Sequence, residues 1–285
     1  MKNLADINHY EEHFEVMSHD VDANNNAKPS VIVRFFQETA NHHMRDRRPT
    51  YYELFEEGKS YILIRMKCRM NSTLHPYDKI KVSTWTSEGK GATFKRNYLM
   101  TGEGDREGEE IGRAYSEWAV VDWRTGTILK IDDVDYSNYE VDEEIDIDLP
   151  TKFHFPKEME FVKCGAKEIL YTDCDMNLHM NNTRYQDTLW SYVPDVSKKV
   201  MTGFTMRFMK EGALGKTLEI YRGEPVPTDS SNRIDGSNGV NQTGTDTTDI
   251  DTASTEETWY FKTMVNDDEG DPKINVEAMF TCTMI

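Results

Sequence analysis

The chain has 285 residues, a hydrophobic fraction of 37% and a formal net charge of −18. No run of 18 or more apolar residues occurs, which excludes a bilayer-spanning helix. Residues 132–149 and 224–258 account for sixteen of the eighteen net negative charges, so the acidity belongs to two segments and nucleic acid is a poor candidate partner.

In chain order, the first residues, Met1 to Asp6, lack the apolar core of a secretory signal, and a cytoplasmic location is the default expectation. His13–Met17 reads as a strand and Asp20–Asn26 as a polar loop. Val31, Val33, Phe35, Phe36, Thr39, Ala40 and His43 recur with helical period, and Pro29 and Ser30 can start that helix. Strand-type stretches follow at Ser60–Met70, Asp78–Glu88, Thr93–Thr101, Ile111–Asp122 and Ile128–Ile131, separated by turn signals such as Arg124-Thr125-Gly126. Residues 1–131 thus form a first domain. Residues 132–152, with nine acids in 132–149 and Pro150 beyond them, read as an acidic linker.

The second domain, 153–285, repeats the order. Lys167–Tyr171 reads as a strand, Asp173–Asn182 as a polar loop, and Thr183–Val193 as a helix with Tyr185, Leu189, Trp190 and Val193 on one face. Strands are expected at Met201–Met209, Thr217–Gly223, Thr258–Val265 and Ile274–Thr283. Residues 224–258 contain no aromatic residue and cannot bury enough apolar surface to offset the entropy of ordering, which makes them a mobile insertion. Each half is a long helix followed by antiparallel strands, so a curved sheet wrapped around a central helix is expected twice, an α+β fold. Cys68, Cys164, Cys174 and Cys282 have no C-x-x-C spacing and read as free thiols.

The two polar loops superpose on an offset of 153. Asp20 falls on Asp173, Asp22 on Asp175 and Asn24 on Asn177, while Asn26 falls opposite His179. A duplicated domain with one working and one silent copy follows. Asp175, Asn177 and His179 converge only if their segment is a turn entering the helix, whose N-terminus would then offer backbone donors to an oxyanion.

The segment Asp175-Met176-Asn177-Leu178-His179-Met180-Asn181-Asn182-Thr183-Arg184-Tyr185 resembles the D-x-N-x-H-x-N-N-x-x-Y signature of acyl-ACP thioesterases. Gln37-Glu38-Thr39-Ala40-Asn41-His42, and Thr84-Trp85 followed by Gly89-Lys90, resemble first-domain pieces of that family. The resemblance implies two tandem hot-dog domains, an acyl-chain slot in the first and a catalytic set of Asp175, Asn177, His179 and Glu211 in the second. Glu211 stands at the family's carboxylate position on the strand Met206–Gly212. Gly212 stands where some members have cysteine, so a Cys-His-Asn nucleophile scheme cannot operate there. Carboxylate-based hydrolysis of fatty acyl-ACP follows, with Asp175 as nucleophile or general base and Glu211 orienting or deprotonating water.

Phe35, Phe36, Thr39, Ile62, Ile64 and Trp85 are candidate lining for the acyl slot, although core packing explains them equally well. No metal and no cofactor are expected. The expected partner is acyl carrier protein, with Arg45, Arg47 and Arg48 and Lys198 and Lys199 as a candidate basic surface and the acidic linker on the opposite side. The chain would be a monomer or a homodimer. Rival readings are an acyl-CoA thioesterase, a non-catalytic acyl-binding protein and a hot-dog dehydratase.

Overall fold

The computed structural model describes residues 9–135, 137–223 and 256–285. The segment 224–258 therefore lies outside the described residues except for its last three, of which Glu257 and Thr258 open a strand.

The first half contains β1 (Tyr10–Glu15), α1 (Pro29–Arg47), α2 (Tyr51–Glu56), β2 (Lys59–Met70), β3 (Lys79–Lys90), β4 (Thr93–Glu103), β5 (Glu110–Asp122) and β6 (Thr127–Ile128). The second contains β7 (Phe161–Glu168), α3 (Arg184–Trp190), β8 (Lys199–Phe208), β9 (Thr217–Gly223), β10 (Glu257–Asn266) and β11 (Pro272–Met284). All strands join one antiparallel sheet in the order β1-β3-β4-β5-β2-β8-β11-β10-β9-β7, with β6 beside β5. The order on one side of the β2–β8 seam mirrors that on the other, which is the duplication expected from the loops. Seam pairing runs from Arg65 opposite Arg207 to Arg69 opposite Gly203. The two hot-dog sheets are therefore fused edge to edge, and neither β2 nor β8 is left as an exposed edge.

The helices fill the concave side. α1 carries Pro29 in its first turn and no side-chain cap of its own. Asp187 of α3 supplies one, accepting from the Ser30 N–H at 2.8 Å and the Ser30 hydroxyl at 2.5 Å. A carboxylate there meets the positive end of the α1 dipole and ties the two halves together. The second helix is shorter than its apolar period suggests. α3 covers only Arg184–Trp190, because Pro194 disfavours helical geometry at Val193 and the chain turns first. Tyr185, Leu189, Trp190 and Val193 are nevertheless all buried. Ile128–Ile131 is likewise less than a strand: β6 has two residues, and Ile131–Asp133 form a 3₁₀ turn.

The acidic segment is no free tether. Ile145 and Ile147 are buried on the outer face of the first sheet against Trp85 and Tyr115, while Asp146 and Asp148 point to solvent. Alternation of this kind is how an extended chain covers a surface. Glu140 reaches the end of α1, accepting from His43 Nε2 at 2.7 Å and pairing with Arg47. The linker thus lies beside the arginine cluster, not opposite it.

His43 is fully buried, and Arg96 donates to its Nδ1 at 2.8 Å. Burial, and then the Arg96 guanidinium, hold its pKa at about 4 despite the Glu140 hydrogen bond. The folded state therefore resists protonating His43 where the unfolded chain accepts a proton. The stability this contributes is complete above about pH 6.5 and is lost as pH falls toward 4, a change of at most about 3 kcal/mol. Urea unfolding midpoints across that window should fall with acid in the wild type and fall less in His43→Gln.

Candidate active site

Each polar loop is a closed turn built on an aspartate. In the second half, Asp175 Oδ1 accepts from the Asn177 N–H at 2.8 Å and the His179 N–H at 3.4 Å, and Asp175 N–H donates to the His179 carbonyl at 2.9 Å. In the first half, Asp22 Oδ1 accepts from the N–H groups of Asn24 and Asn26 at 2.8 and 3.1 Å, and Asp22 N–H donates to the Asn26 carbonyl at 2.8 Å. Leu178 and Asn25, also 153 apart, both take left-handed geometry, with φ of 61° and 64°.

The loop is then pinned to the turn after β8. Met180 N–H donates to the Gly212 carbonyl at 2.7 Å, and Leu214 N–H to the Leu178 carbonyl at 2.9 Å. Glu211 is therefore carried beside His179, although it lies on the loop beyond Phe208 and not on the strand itself. Buried Asn275 holds that loop: its carbonyl accepts from the Met209 N–H at 2.9 Å, and its amide nitrogen donates to the Lys210 carbonyl and, at 3.2 Å, to the Tyr185 hydroxyl.

Two cavities meet at the loop. One, of about 410 Å³, has an apolar wall of Ala40, Met44, Phe94, Trp118, Ile131 and Val141. The other, of about 470 Å³, is lined by Phe55, Ile62, Trp123, His179, Lys210 and Glu211 among others. Tyr61, Asp175, Met176, Asn177 and Asn182 border both. The four candidate residues Asp175, Asn177, His179 and Glu211 are thus brought together around the second cavity. The helix N-terminus only borders the site, through Tyr185 in the first turn of α3. α3 begins five residues after His179, and Asn181 Oδ1 already takes the Thr183 N–H at 3.0 Å. Among side-chain donors at the loop, Asn177 Nδ2 uses one hydrogen on the Tyr51 hydroxyl at 3.1 Å and has a second to give.

Most of the lining expected from sequence lies elsewhere. Ile62 does line the second cavity. Phe35, Phe36 and Thr39 are buried in the core, Phe35 against Phe14, and the Thr39 hydroxyl donates to the Phe35 carbonyl. Trp85 faces the other side of its sheet, stacked on His9 under the linker. Ile64 sits at a bulge in β2 and borders neither cavity. The residues missed are Gln37, Asn41 and Met44 on a second stripe of α1, and Tyr51 and Phe55 on α2. A signal for α2 was present in Thr50-x-x-Glu53, which forms a reciprocal capping box.

Each cation of the expected basic surface has an acidic partner. Arg45 pairs with Asp46, Arg47 with Glu140, Arg48 with Glu53, Lys198 with Asp195 and Lys199 with Glu257. All four cysteines are free. Desolvation, then the Asp173 and Asp175 carboxylates, push the Cys174 thiol up, away from a reactive thiolate. A Cβ at Gly212 would stand 2.7 Å from Ile169 Cδ1 and 2.8 Å from the Tyr185 hydroxyl. Tyr185 is buried and hydrogen-bonded, so a cysteine cannot be added there without displacing it. Gly212→Cys should lower unfolding stability by about 1–3 kcal/mol in denaturant titration.

Residues 7–139 match the model of the acyl-ACP thioesterase N-terminal domain, and residues 162–281 that of the C-terminal domain. An acyl-[acyl-carrier-protein] hydrolase of the chloroplast from Cuphea viscosissima is 25% identical over 226 residues, 74% of this chain and 53% of that one. A chloroplastic oleoyl-acyl carrier protein thioesterase of Arabidopsis thaliana is 24% identical over 256 residues, 81% of this chain and 67% of its own. The chain spans about half the length of the Cuphea relative. Among solved structures, an acyl-ACP thioesterase from Bacteroides thetaiotaomicron aligns with a TM-score of 0.73 at 19% identity, covering 95% of this chain and 96% of the other. A 12:0-ACP thioesterase from Umbellularia californica aligns at 0.74 with 15% identity, covering 97% and 94%. With two fused halves and both domain models matched in order, the chain belongs to the acyl-ACP thioesterase family.

Proposed function

We propose that this protein hydrolyses fatty acyl thioesters of acyl carrier protein, releasing free fatty acid and ending chain growth. The meeting of an apolar cavity and a more polar one at the Asp175–His179 loop carries this reading. An acyl chain fills the first cavity, the carrier's thiol-bearing arm runs through the second, and the thioester lies at their shared wall. The names of the relatives, which are hydrolases of acyl-ACP, support the same substrate class.

Chemistry follows from what surrounds that point. Glu211 takes a proton from a water, and the resulting hydroxide adds to the thioester carbonyl. Asn177 Nδ2 and the His179 ring donate to the oxygen as it gains charge, where one such donor is worth roughly 2.7–4 kcal/mol. Collapse of the adduct breaks the C–S bond, and the proton held by Glu211 passes to sulfur. Thioester and water thus become carboxylic acid and thiol. Acyl-CoA remains the competing carrier, because the five cations expected to meet acidic acyl carrier protein are all paired with acids.

The test is thiol release from a panel of acyl-ACPs of varied length, run beside the matching acyl-CoAs. Activity on the ACP series should exceed that on the CoA series, and His179→Ala or Glu211→Ala should lower kcat about a hundredfold or more. Wild-type protein that releases no thiol from either series overturns the reading. Met44→Trp, which narrows the apolar cavity, should raise KM for the longest chains and leave kcat on the shortest within about twofold.

A further inference from the structure

Two turns of one chain carry the same aspartate in the same hydrogen bonds, and only one of them lies in a site equipped for hydrolysis. Asp22 and Asp175 each accept two backbone N–H groups on one carboxylate oxygen. The backbone pairing extends the match. Ala27 N–H donates to the Leu74 carbonyl as Met180 N–H does to Gly212, so Thr73 occupies the place of Glu211. Asn26 occupies the place of His179. Neither of those two places holds a base or an imidazole; His75 touches the turn from outside, exposed, with its ring nitrogens on the Asn25 carbonyl and the Thr73 hydroxyl, and the space beside the turn, lined by Trp190 and Met201 among others, amounts to about 30 Å³. No substrate fits there, yet the aspartate and its hydrogen bonds are intact. Closing the turn, not chemistry, accounts for Asp22.

The second turn needs that closure more. Its left-handed residue is Leu178 where the first has Asn25, and leucine in that geometry carries a steric cost that asparagine largely avoids. The two N–H groups that Asp175 holds belong to Asn177 and His179, the residues proposed to bind the carbonyl.

Building on the hydrolase reading above, we infer that Asp175 is a positioning residue: its carboxylate oxygen sets Asn177 and His179 through their backbone, and its negative charge is not used in the reaction. An asparagine can accept the same two hydrogen bonds through its amide oxygen, whereas alanine cannot.

The experiment compares Asp175→Asn and Asp175→Ala for thiol release from acyl-ACP, with pH–rate profiles and thermal melting. Asp22→Asn and Asp22→Ala serve as stability references, and intact mass verifies that the amide at 175 has not deamidated. We expect Asp175→Asn to keep kcat within about tenfold of wild type with the same acidic limb, and Asp175→Ala to lose about a hundredfold or more. The Ala variants at 22 and 175 should both melt below their Asn counterparts. An Asp175→Asn protein that melts like wild type yet is as inactive as Asp175→Ala overturns the assignment and makes the carboxylate a nucleophile or base. Full activity in Asp175→Ala overturns it too. Failure of the wild type itself to release thiol is a different result, which removes the hydrolase reading and this assignment with it.

Discussion

One pair of backbone hydrogen bonds decides whether this molecule has a site at all. The Met180 N–H to Gly212 carbonyl bond and the Leu214 N–H to Leu178 carbonyl bond together form the His179–Ala213 bridge, which locks one loop to another. His179 and Glu211 are 32 positions apart in sequence and line one cavity because of that lock. Side chains on two independently moving loops would lose the alignment on which the proposed hydrolysis depends, since small displacements of a reacting group carry large rate costs. Asn275 reinforces the arrangement from below, joined to Thr263 at 2.8 Å and to Tyr185 at 3.2 Å within the buried interior. A buried network of this kind is stiff when every member is satisfied.

The duplication supplies the frame for that lock and explains the division of labour. Fusing two sheets at β2 and β8 places α1 and α3 side by side on one concave surface. Around the second loop, α1 and α2 of the first half leave space, and the cavities open there. Around the first loop, Trp190 of the second half takes up the equivalent volume. Both halves thus contribute to one site: Asn177 reaches Tyr51 across the boundary, and Asp187 caps α1 across it. Neither half could form this arrangement by itself.

Charge is used locally. The acids of the linker keep its outer edge solvated while Ile145 and Ile147 seal the sheet. Glu140 is the exception that turns inward. Burial would raise its pKa, but hydrogen bonds from Arg47 and His43 outweigh that and hold it at about 2. The linker is thereby fastened to α1, and Val141 beside Glu140 becomes part of the apolar cavity wall.

The sequence by itself determined the elements that depend on nearby residues. Alternation marked the strands, the 153-residue offset marked the duplication, and the Asx pattern marked the turns, because each is a local matter of backbone geometry and periodicity. It also singled out His179 as the difference between the copies, and the family signature added Glu211. Only the tertiary structure decided which apolar residues line a cavity. Phe35 and Met44 sit on the same helix, and nothing within that helix tells a stripe packed against a sheet from one facing a gap. Trp85 and Ile62 differ likewise by the face of a sheet, and Trp85 is covered by a linker whose docking no local rule foretells. The pairing of Arg47 with Glu140 and the approach of α2 to the loop belong to the same class. They arise from contacts between segments distant in sequence, whose geometry exists only once the two sheets have fused.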